Sequence, residues 1–157
     1  FTKNQIFVKN IDLTENSISQ KDLLKFIDRC NITDNKFIKN QLFDIVILDA
    51  PCTSSGLIRK HPDIRWLINE QSLSKNTYIQ SLLLKEGSKY VRDGGIILYA
   101  VCSVFLEEGQ KMVSNFIKES SINTSWTILE TYSACLPMGD EDGFQSFVLQ
   151  KNSTNQR

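Results

Sequence analysis

Apolar and polar residues follow one another in blocks along this chain, and the blocks predict strands that alternate with helices. Two compact apolar runs, Phe43–Leu48 and Ile96–Tyr99, predict buried strands. Apolar residues recur at helical spacing from Gln71 to Tyr90, and again over Glu107–Lys118, where they form one face. Alternation of this kind is typical of an α/β fold with a mostly parallel sheet.

The C-terminal part of the chain predicts a hairpin at the edge of that sheet. Residues 126–132 alternate between apolar and polar as a strand does, and a last strand is predicted over Phe144–Leu149. Only a short connection separates the two. Because antiparallel neighbours need no crossover helix, we expect these strands to pair with each other.

Polar stretches and glycines mark the connections. We interpret Val8–Phe26 as a helix end, a turn and a short strand, and Asp28–Gln41 as a surface connection. Asp93–Gly95 is predicted to end the first long helix, because glycine is favoured just past a helix C-terminus. We find no internal repeat and no domain boundary.

Length and composition place the chain among ordinary globular domains. Its 157 residues, 41% of them hydrophobic and 23% charged, suffice for a single core. The formal net charge is zero, so no global basic field marks a nucleic-acid-binding protein, and only a local patch could do so. The apolar runs are far shorter than the roughly 20 residues that span a bilayer, so no membrane association is expected. The chain begins with Phe1 rather than Met and without a signal peptide, which is consistent with a fragment.

The cysteines do not have the spacing of a metal site. The four are Cys30, Cys52, Cys102 and Cys135. None forms a CxxC pair and His61 is the only histidine, so no zinc site is expected. Because nothing indicates secretion, free thiols are favoured over disulfides.

Two of the cysteines lie just beyond a predicted strand. Cys52 belongs to the stretch Asp49–Gly56, and Cys102 follows the second apolar run. A thiolate at a strand end, near free backbone N–H groups, is an effective nucleophile. A single cysteine is more often a small buried hydrophobe, but two at matching strand ends favour chemistry. Cys30 and Cys135 have no such setting and are interpreted as structural.

Two acidic residues are candidate ligand contacts. Asp49 ends the first strand and either caps the following loop or faces the polar edge of a ligand. Asp22 precedes Leu23–Phe26 and is equally compatible with a helix N-cap and with a contact to a nucleobase amine. The residues themselves leave these alternatives open.

A basic segment with one tryptophan follows the first of these two cysteines. Its candidate RNA-binding residues are Arg59, Lys60, His61 and Arg65, and Trp66 follows them. Cations interleaved with an aromatic ring suit a phosphate backbone and a stacked base. The alternative is a solvated loop whose tryptophan fills the core.

Taken together, these segments resemble the RNA cytosine-C5 methyltransferases. Asp49–Gly56 and the run Ile58–Leu67 look like the fourth motif of that family, and Tyr99–Ser103 resembles its sixth motif, usually Tyr-Ser-Thr-Cys-Ser. Asp142–Phe144 is similar to the closing Asp-Gly-Phe-Phe strand. The His-Pro-Asp-Ile-Arg-Trp-Leu run is most similar to the bacterial branch that methylates small-subunit ribosomal RNA. The resemblance covers most of residues 16–151.

The resemblance implies a Rossmann-like class I methyltransferase sheet, of which residues 1–157 are the C-terminal portion of one catalytic domain. It implies S-adenosylmethionine as the cofactor and RNA, ribosomal RNA in particular, as the substrate. Cys102 would attack C6 of the cytosine, Cys52 would assist product release, and Asp49 would contact the N3/N4 edge of the base. The residues that would contact the cofactor are Asp22, Asp49 and Pro51.

The chain departs from the family pattern in several places. Ala100–Val101 stands where Ser-Thr is usual, and Leu106 where proline is common. Gly109 stands where asparagine is common, and Gln145 where a second phenylalanine is usual. The glycine-rich first motif and the acid expected to bind the ribose hydroxyls are not found, so we expect the N-terminal part of the sheet to be missing from this sequence.

Two alternatives stay open. A DNA cytosine-C5 methyltransferase would use the cysteine of its own Pro-Cys motif, here Cys52, as the nucleophile, but Cys102-Ser103 and His61-Pro62 argue against it. A cofactor-less fragment or pseudoenzyme would act only as an RNA-binding or partner-binding module. For the enzyme we expect a monomer that needs no metal and acts in the cytoplasm, or in the nucleus, nucleolus or an organelle of a eukaryote.

Overall fold

A computed structural model of the protein describes residues 42–120, 124–134 and 142–153. These residues all lie within one compact unit, Leu42–Arg157. The predictions that fall outside the described residues are those for Val8–Gln41, Asp22, Cys30 and Cys135.

Four strands form one mixed sheet. They are β1 (Phe43–Asp49), β2 (Val91–Val101), β3 (Trp126–Ala134) and β4 (Phe144–Lys151), in the order β1-β2-β4-β3. β1 and β2 pair in parallel, whereas β4 pairs antiparallel with both β2 and β3. The predicted strands and the C-terminal hairpin are therefore confirmed, and β4 is the strand that joins the hairpin to the rest of the sheet. The prediction that the first strand is buried is wrong, because Leu48 is the only buried residue of β1, while Ile45 and Ile47 are 56% and 66% exposed.

Three helices are described. They are α1 (Ile64–Leu67), α2 (Glu70–Ser88) and α3 (Gln110–Ser120), and a 3₁₀ turn over Ser55–Leu57 precedes them. Asn69 caps α2, because its side chain accepts a hydrogen bond from the Ser72 N–H at 2.8 Å while the Ser72 hydroxyl oxygen accepts one from the Asn69 N–H. No described helix has the length and apolar character needed to cross a membrane.

The buried face of α2 includes a polar residue and a glycine. Gln80, Leu84 and Gly87 are buried, whereas Tyr78, one of the apolar residues at helical spacing, is 64% exposed. Gly87 lets the helix approach β1 closely, because a Cβ there would lie 3.2 Å from the methyl groups of Leu48. Apolar residues occur around most of α2, so their spacing alone does not select the inward face.

The predicted end of α2 is also wrong. Asp93–Gly95 lies inside β2, and α2 ends earlier, at Ser88. The ladder between β1 and β2 is irregular at this point, and Gly94 has a positive φ of 74°. The glycines therefore serve a bulge in the strand, which is another conformation that favours glycine.

One hydrophobic cluster joins the helices to the sheet. The predicted apolar face of α3 is confirmed, since Met112, Val113 and Phe116 are buried and Ile117 packs beside them. Alternating residues of β2 and β4 complete the cluster, namely Ile97, Tyr99, Val101, Phe147 and Leu149. This packing holds the edge of the sheet at which β1 and β2 end.

Candidate active site

Parallel pairing of β1 with β2 brings two cysteines together. Asp49 pairs with Ala100, so the loops that follow the two strands leave the sheet at the same edge. Cys52 Sγ lies 3.3 Å from Cys102 Sγ. Both residues are partly buried free thiols, as expected for a chain without disulfides at these positions.

Hydrogen bonds hold three segments of the chain together beside this pair of cysteines. The Gly56 N–H donates to the Cys102 carbonyl at 3.1 Å, and the Gly143 N–H donates to the Gly56 carbonyl at 2.9 Å. The Ser55 hydroxyl accepts a hydrogen bond from the Val104 N–H at 3.0 Å. The loop after β1, the loop after β2 and the start of β4 therefore meet at one point beside the thiols.

The two thiols have opposite acid–base character. The hydrogen bond from Cys52, helped by the Ser54 hydroxyl 3.5 Å away, lowers the pKa of Cys102 to about 6. The same hydrogen bond, together with burial, raises the pKa of Cys52. Of the two thiols, Cys102 is therefore the one that ionises more readily, and Cys52 is the one that tends to keep its proton.

A buried polar cluster that the sequence analysis missed supports the loop of Cys52. Glu108 is fully buried, and its carboxylate accepts from the Thr53 N–H at 2.9 Å and from the Thr53 hydroxyl at 2.5 Å. The fully buried Gln80 donates from Nε2 to Glu108 Oε1 at 3.1 Å and to the Pro51 carbonyl at 2.8 Å. Thr53, Gln80 and Glu108 come from distant segments of the chain, so no local sequence pattern predicts this cluster.

The residues predicted to hold the cofactor leave acceptors open to a ligand. Asp49 is exposed at the end of β1, and Pro51 is exposed beside it, while Asp22 is outside the described residues. Close to Pro51, Gln80 Oε1 is buried and has no hydrogen-bond partner among the described residues. The exposed carboxylate of Asp49 fits a ligand that carries amine and ammonium donors, as S-adenosylmethionine does.

Part of the basic segment is tied to the start of β4. Lys60 Nζ lies 2.5 Å from Asp142 Oδ2, and Arg59 Nη2 lies 3.7 Å from Asp142 Oδ1. The other two predicted contacts, His61 and Arg65, are exposed. Two of the cations predicted to bind RNA therefore have a carboxylate partner in this structure.

Trp66 is a surface residue. Its side chain is 76% exposed, and the Arg65 guanidinium carbon lies 4.7 Å from the centre of the ring. The alternative in which this tryptophan fills the core is wrong, because α1 contains no buried residue. An exposed ring beside a guanidinium group is a surface on which an unpaired base can stack.

A separate groove of about 700 Å³ lies between α2 and α3. Its lining includes Lys85, Lys89, Met112 and Phe116 and contains none of the predicted site residues. The reactive thiols, the buried carboxylate and the exposed Asp49 are all elsewhere. We therefore place the candidate active site at the sheet edge and not in this groove.

Comparison with protein families identifies the chain. A family model described as 16S rRNA methyltransferase RsmB/F matches residues 5–150. The chain belongs to this family. The predicted resemblance to the RNA methyltransferases, and to their small-subunit ribosomal RNA branch in particular, is thereby confirmed.

Curated relatives of this RsmB/F family member carry the same kind of name. The ribosomal RNA small subunit methyltransferase B of Photorhabdus laumondii is 40% identical over 83 residues, which cover 53% of this chain and 19% of that protein. The protein of the same name from Yersinia pseudotuberculosis is 34% identical over 109 residues, 67% of this chain and 25% of that protein. The matches span about a fifth to a quarter of the length of these relatives.

Solved structures confirm the fold class. The crystal structure of PH0851 is 27% identical and has a TM-score of 0.60, over 87% of this chain and 35% of that one. A methyltransferase homolog protein from Pyrococcus horikoshii has a TM-score of 0.53 at 22% identity, over 73% of this chain and 40% of that one. The RsmB/F chain is thus an α/β protein with a Rossmann-like methyltransferase sheet and an antiparallel C-terminal hairpin.

Two departures of this RsmB/F chain from the family pattern lie against each other. A Cβ at Gly109 would overlap the side-chain amide of Gln145. Gln145 is 1% exposed, and its Nε2 donates to the Ser103 carbonyl at 2.9 Å and to the Phe105 carbonyl at 3.0 Å. The glycine therefore makes room for an amide from β4 that holds the loop after Cys102.

Proposed function

We propose that the protein carrying this chain methylates C5 of a cytosine in RNA, in particular ribosomal RNA, and that residues 1–157 are the C-terminal portion of its catalytic domain. The observation that carries this proposal is the 3.3 Å contact between the sulfurs of Cys102, whose pKa is lowered, and Cys52, whose pKa is raised. Membership of the RsmB/F family supports RNA as the substrate. S-adenosylmethionine supplies the methyl group when bound, and Asp22, Asp49 and Pro51 are the residues proposed to hold it.

Cys102 begins the reaction in this proposal. Its thiolate adds to C6 of the cytosine, forming a carbon–sulfur bond, and the electron pair of the C5=C6 double bond moves toward C5. This addition is needed because C5 is a poor nucleophile in the intact aromatic ring. Asp49, exposed where β1 ends, hydrogen-bonds the N3/N4 edge of the base and favours its activated form. The target must be unstacked or single-stranded to reach the two thiols.

Cys52 acts when the product leaves. Once the Cys102 sulfur is bonded to carbon, it no longer carries the negative charge that holds the proton on Cys52. Cys52 then loses its proton to solvent and, as a thiolate, removes the C5 proton. The electrons of that C–H bond re-form the C5=C6 double bond, and Cys102 departs as a thiolate. The contact between the two sulfurs supports this exchange of roles.

Replacing Cys52 should separate attack from release. We expect Cys52→Ala to accumulate a covalent complex with ordinary cytosine RNA in the presence of the cofactor, because attack proceeds while elimination loses its base. Loss of a positioned acid–base group should slow release by about 10²-fold or more. Denaturing electrophoresis detects the complex as a protein–RNA band of reduced mobility.

The double variant Cys52→Ala/Cys102→Ala is the matched control and should form no complex. A DNA-type mechanism predicts the opposite result, in which Cys52→Ala alone prevents the adduct. That outcome would contradict the roles proposed here.

Trp66 should contribute to RNA affinity more than its ion-paired neighbour Lys60. Stacking of a base on an exposed ring is worth about 1–3 kcal/mol, so Trp66→Ala should weaken binding of a single-stranded RNA by roughly tenfold. Lys60→Ala should have a smaller effect, because its ammonium group already pairs with Asp142. Fluorescence anisotropy with a labelled oligonucleotide measures both, and Tyr78→Ala, another exposed aromatic residue, is the control. Equal losses for Trp66 and Tyr78 would contradict a specific stacking role.

A further inference from the structure

We propose that Glu108 is a positioning residue for the cysteine pair: it holds in place the segment Pro51–Thr53 and with it the Cys52 thiol, which lies 3.3 Å from the Cys102 sulfur. This inference rests on the function proposed above and names a residue that does not touch the reacting atoms. Glu108 lies just before α3, and its side chain is completely buried.

The first support is that Glu108 and Gln80 form hydrogen bonds to the backbone on both sides of Cys52. On the C-terminal side, the Thr53 N–H and hydroxyl both donate to the Glu108 carboxylate, at 2.9 Å and 2.5 Å. On the N-terminal side, Gln80 Nε2 donates to the Pro51 carbonyl at 2.8 Å and to Glu108 Oε1 at 3.1 Å. The position of the Cys52 thiol is therefore set by a buried side-chain pair and not by the exposed loop alone.

The second support is the charge of this group. Its two oxygens accept three hydrogen bonds, all from neutral donors. Within the described residues no cation pairs with it, so its negative charge is felt by its neighbours. Such a charge disfavours a second anion nearby, and it contributes to the raised pKa of Cys52.

The remaining titratable groups around the pair do not oppose this assignment. Tyr99, on β2, donates its hydroxyl to the Glu108 backbone carbonyl at 2.7 Å, and burial raises the pKa of this phenol, so it stays neutral. Asp49, at the end of β1, is the other anion near the thiols, but it is exposed to solvent. The hydrogen bond between the two sulfurs and the burial of Cys52 make the two cysteines unequal, and Glu108 contributes mainly by holding the loop of Cys52 in place.

Thiol labelling tests the inference without RNA or cofactor. The whole protein that carries this chain is treated with limiting iodoacetamide at pH 7, and mass spectrometry gives the ratio of label on Cys102 to label on Cys52. Because only the thiolate reacts, we expect Cys102 to be labelled in at least about tenfold excess in the wild type. Glu108→Gln, which keeps the shape and removes the charge, should lower this ratio at least about fivefold.

The neighbouring glutamate provides the control. Glu107 pairs with Lys111 at the surface, so Glu107→Gln should leave the labelling ratio unchanged. A folded Glu108→Gln protein with the wild-type ratio overturns the inference, and circular dichroism establishes whether it is folded. If Glu108→Gln does not fold, the wild-type protein still tests the inference. A labelling ratio of Cys102 to Cys52 near one in the wild type overturns it.

The two proposals fail in different ways. If the Cys52 and Cys102 variants behave as proposed in the adduct assay while Glu108→Gln leaves the labelling ratio unchanged, only the role of Glu108 is wrong. If the ratio shifts as expected but the wild type forms no RNA adduct, the proposed function is wrong and the thiol chemistry of the pair stands.

Discussion

Cys102→Ala should abolish both the covalent adduct with RNA that contains 5-fluorocytosine and methyl transfer to ordinary RNA. The adduct disappears because the methyl side chain of alanine offers no sulfur to C6, and transfer should fall by at least about 10³-fold, as expected when a covalent nucleophile is removed. The fluorine at C5 prevents the proton loss that normally precedes elimination, so the wild type should remain trapped on the modified RNA. Gel electrophoresis under denaturing conditions, with radiolabelled RNA, measures the trapped fraction.

The pH dependence of trapping adds a second readout. Because Cys102 attacks as a thiolate and its pKa is about 6, adduct formation should rise as the pH rises through about 6 and then level off. Cys52→Ala removes the hydrogen bond that contributes most to this low pKa, so its profile should shift to higher pH. Trapping by Cys102→Ala, or a wild-type profile that keeps rising above pH 8, would be incompatible with Cys102 as the attacking group.

The second large effect concerns stability. Gly56→Ala should lower the free energy of unfolding by about 3 kcal/mol, because the added Cβ would overlap backbone atoms of Gly143 that cannot move aside like a flexible side chain. The hydrogen bonds from Gly56 to Cys102 and from Gly143 to Gly56 would be strained together. Urea unfolding followed by circular dichroism measures the loss.

Gly87→Ala is the matched control for this substitution. A Cβ at Gly87 would meet only the side chain of Leu48, at 3.2 Å, and alanine is favoured over glycine inside a helix by up to about 1 kcal/mol. We therefore expect Gly87→Ala to change the stability by no more than about 1 kcal/mol. Equal stabilities of the two variants would mean that the loops at Gly56 and Gly143 are not in close contact.

The parts of the site that follow local rules could be predicted from the sequence. The apolar run of β1 identifies a strand, although most of its residues are exposed in the structure, and parallel neighbours end at the same edge of a sheet. Cys52 and Cys102 were expected at matching strand ends for that reason, and the structure places their sulfurs 3.3 Å apart. The motif resemblance then led to the RsmB/F family, which the family model confirms.

The parts that depend on distant partners could not be predicted. Gln80 and Glu108 look like ordinary polar positions in the sequence, and only the fold shows that both are buried against the loop of Cys52. The pairing of Lys60 with Asp142 joins residues far apart in the chain, so a cation assigned to RNA turned out to have a protein partner. Gly94 was misassigned because a helix end and a strand bulge both favour glycine.

The meeting of Gly56 with Gly143 has a consequence for the order in which the protein is made. Gly143 leads into β4, which is synthesised last of the four strands and inserts between β2 and β3. During translation, Cys52 and Cys102 leave the ribosome before Gly143 and β4, which contact the loops of the two cysteines. The loops that carry the two cysteines should therefore reach their final positions only after β4 has docked.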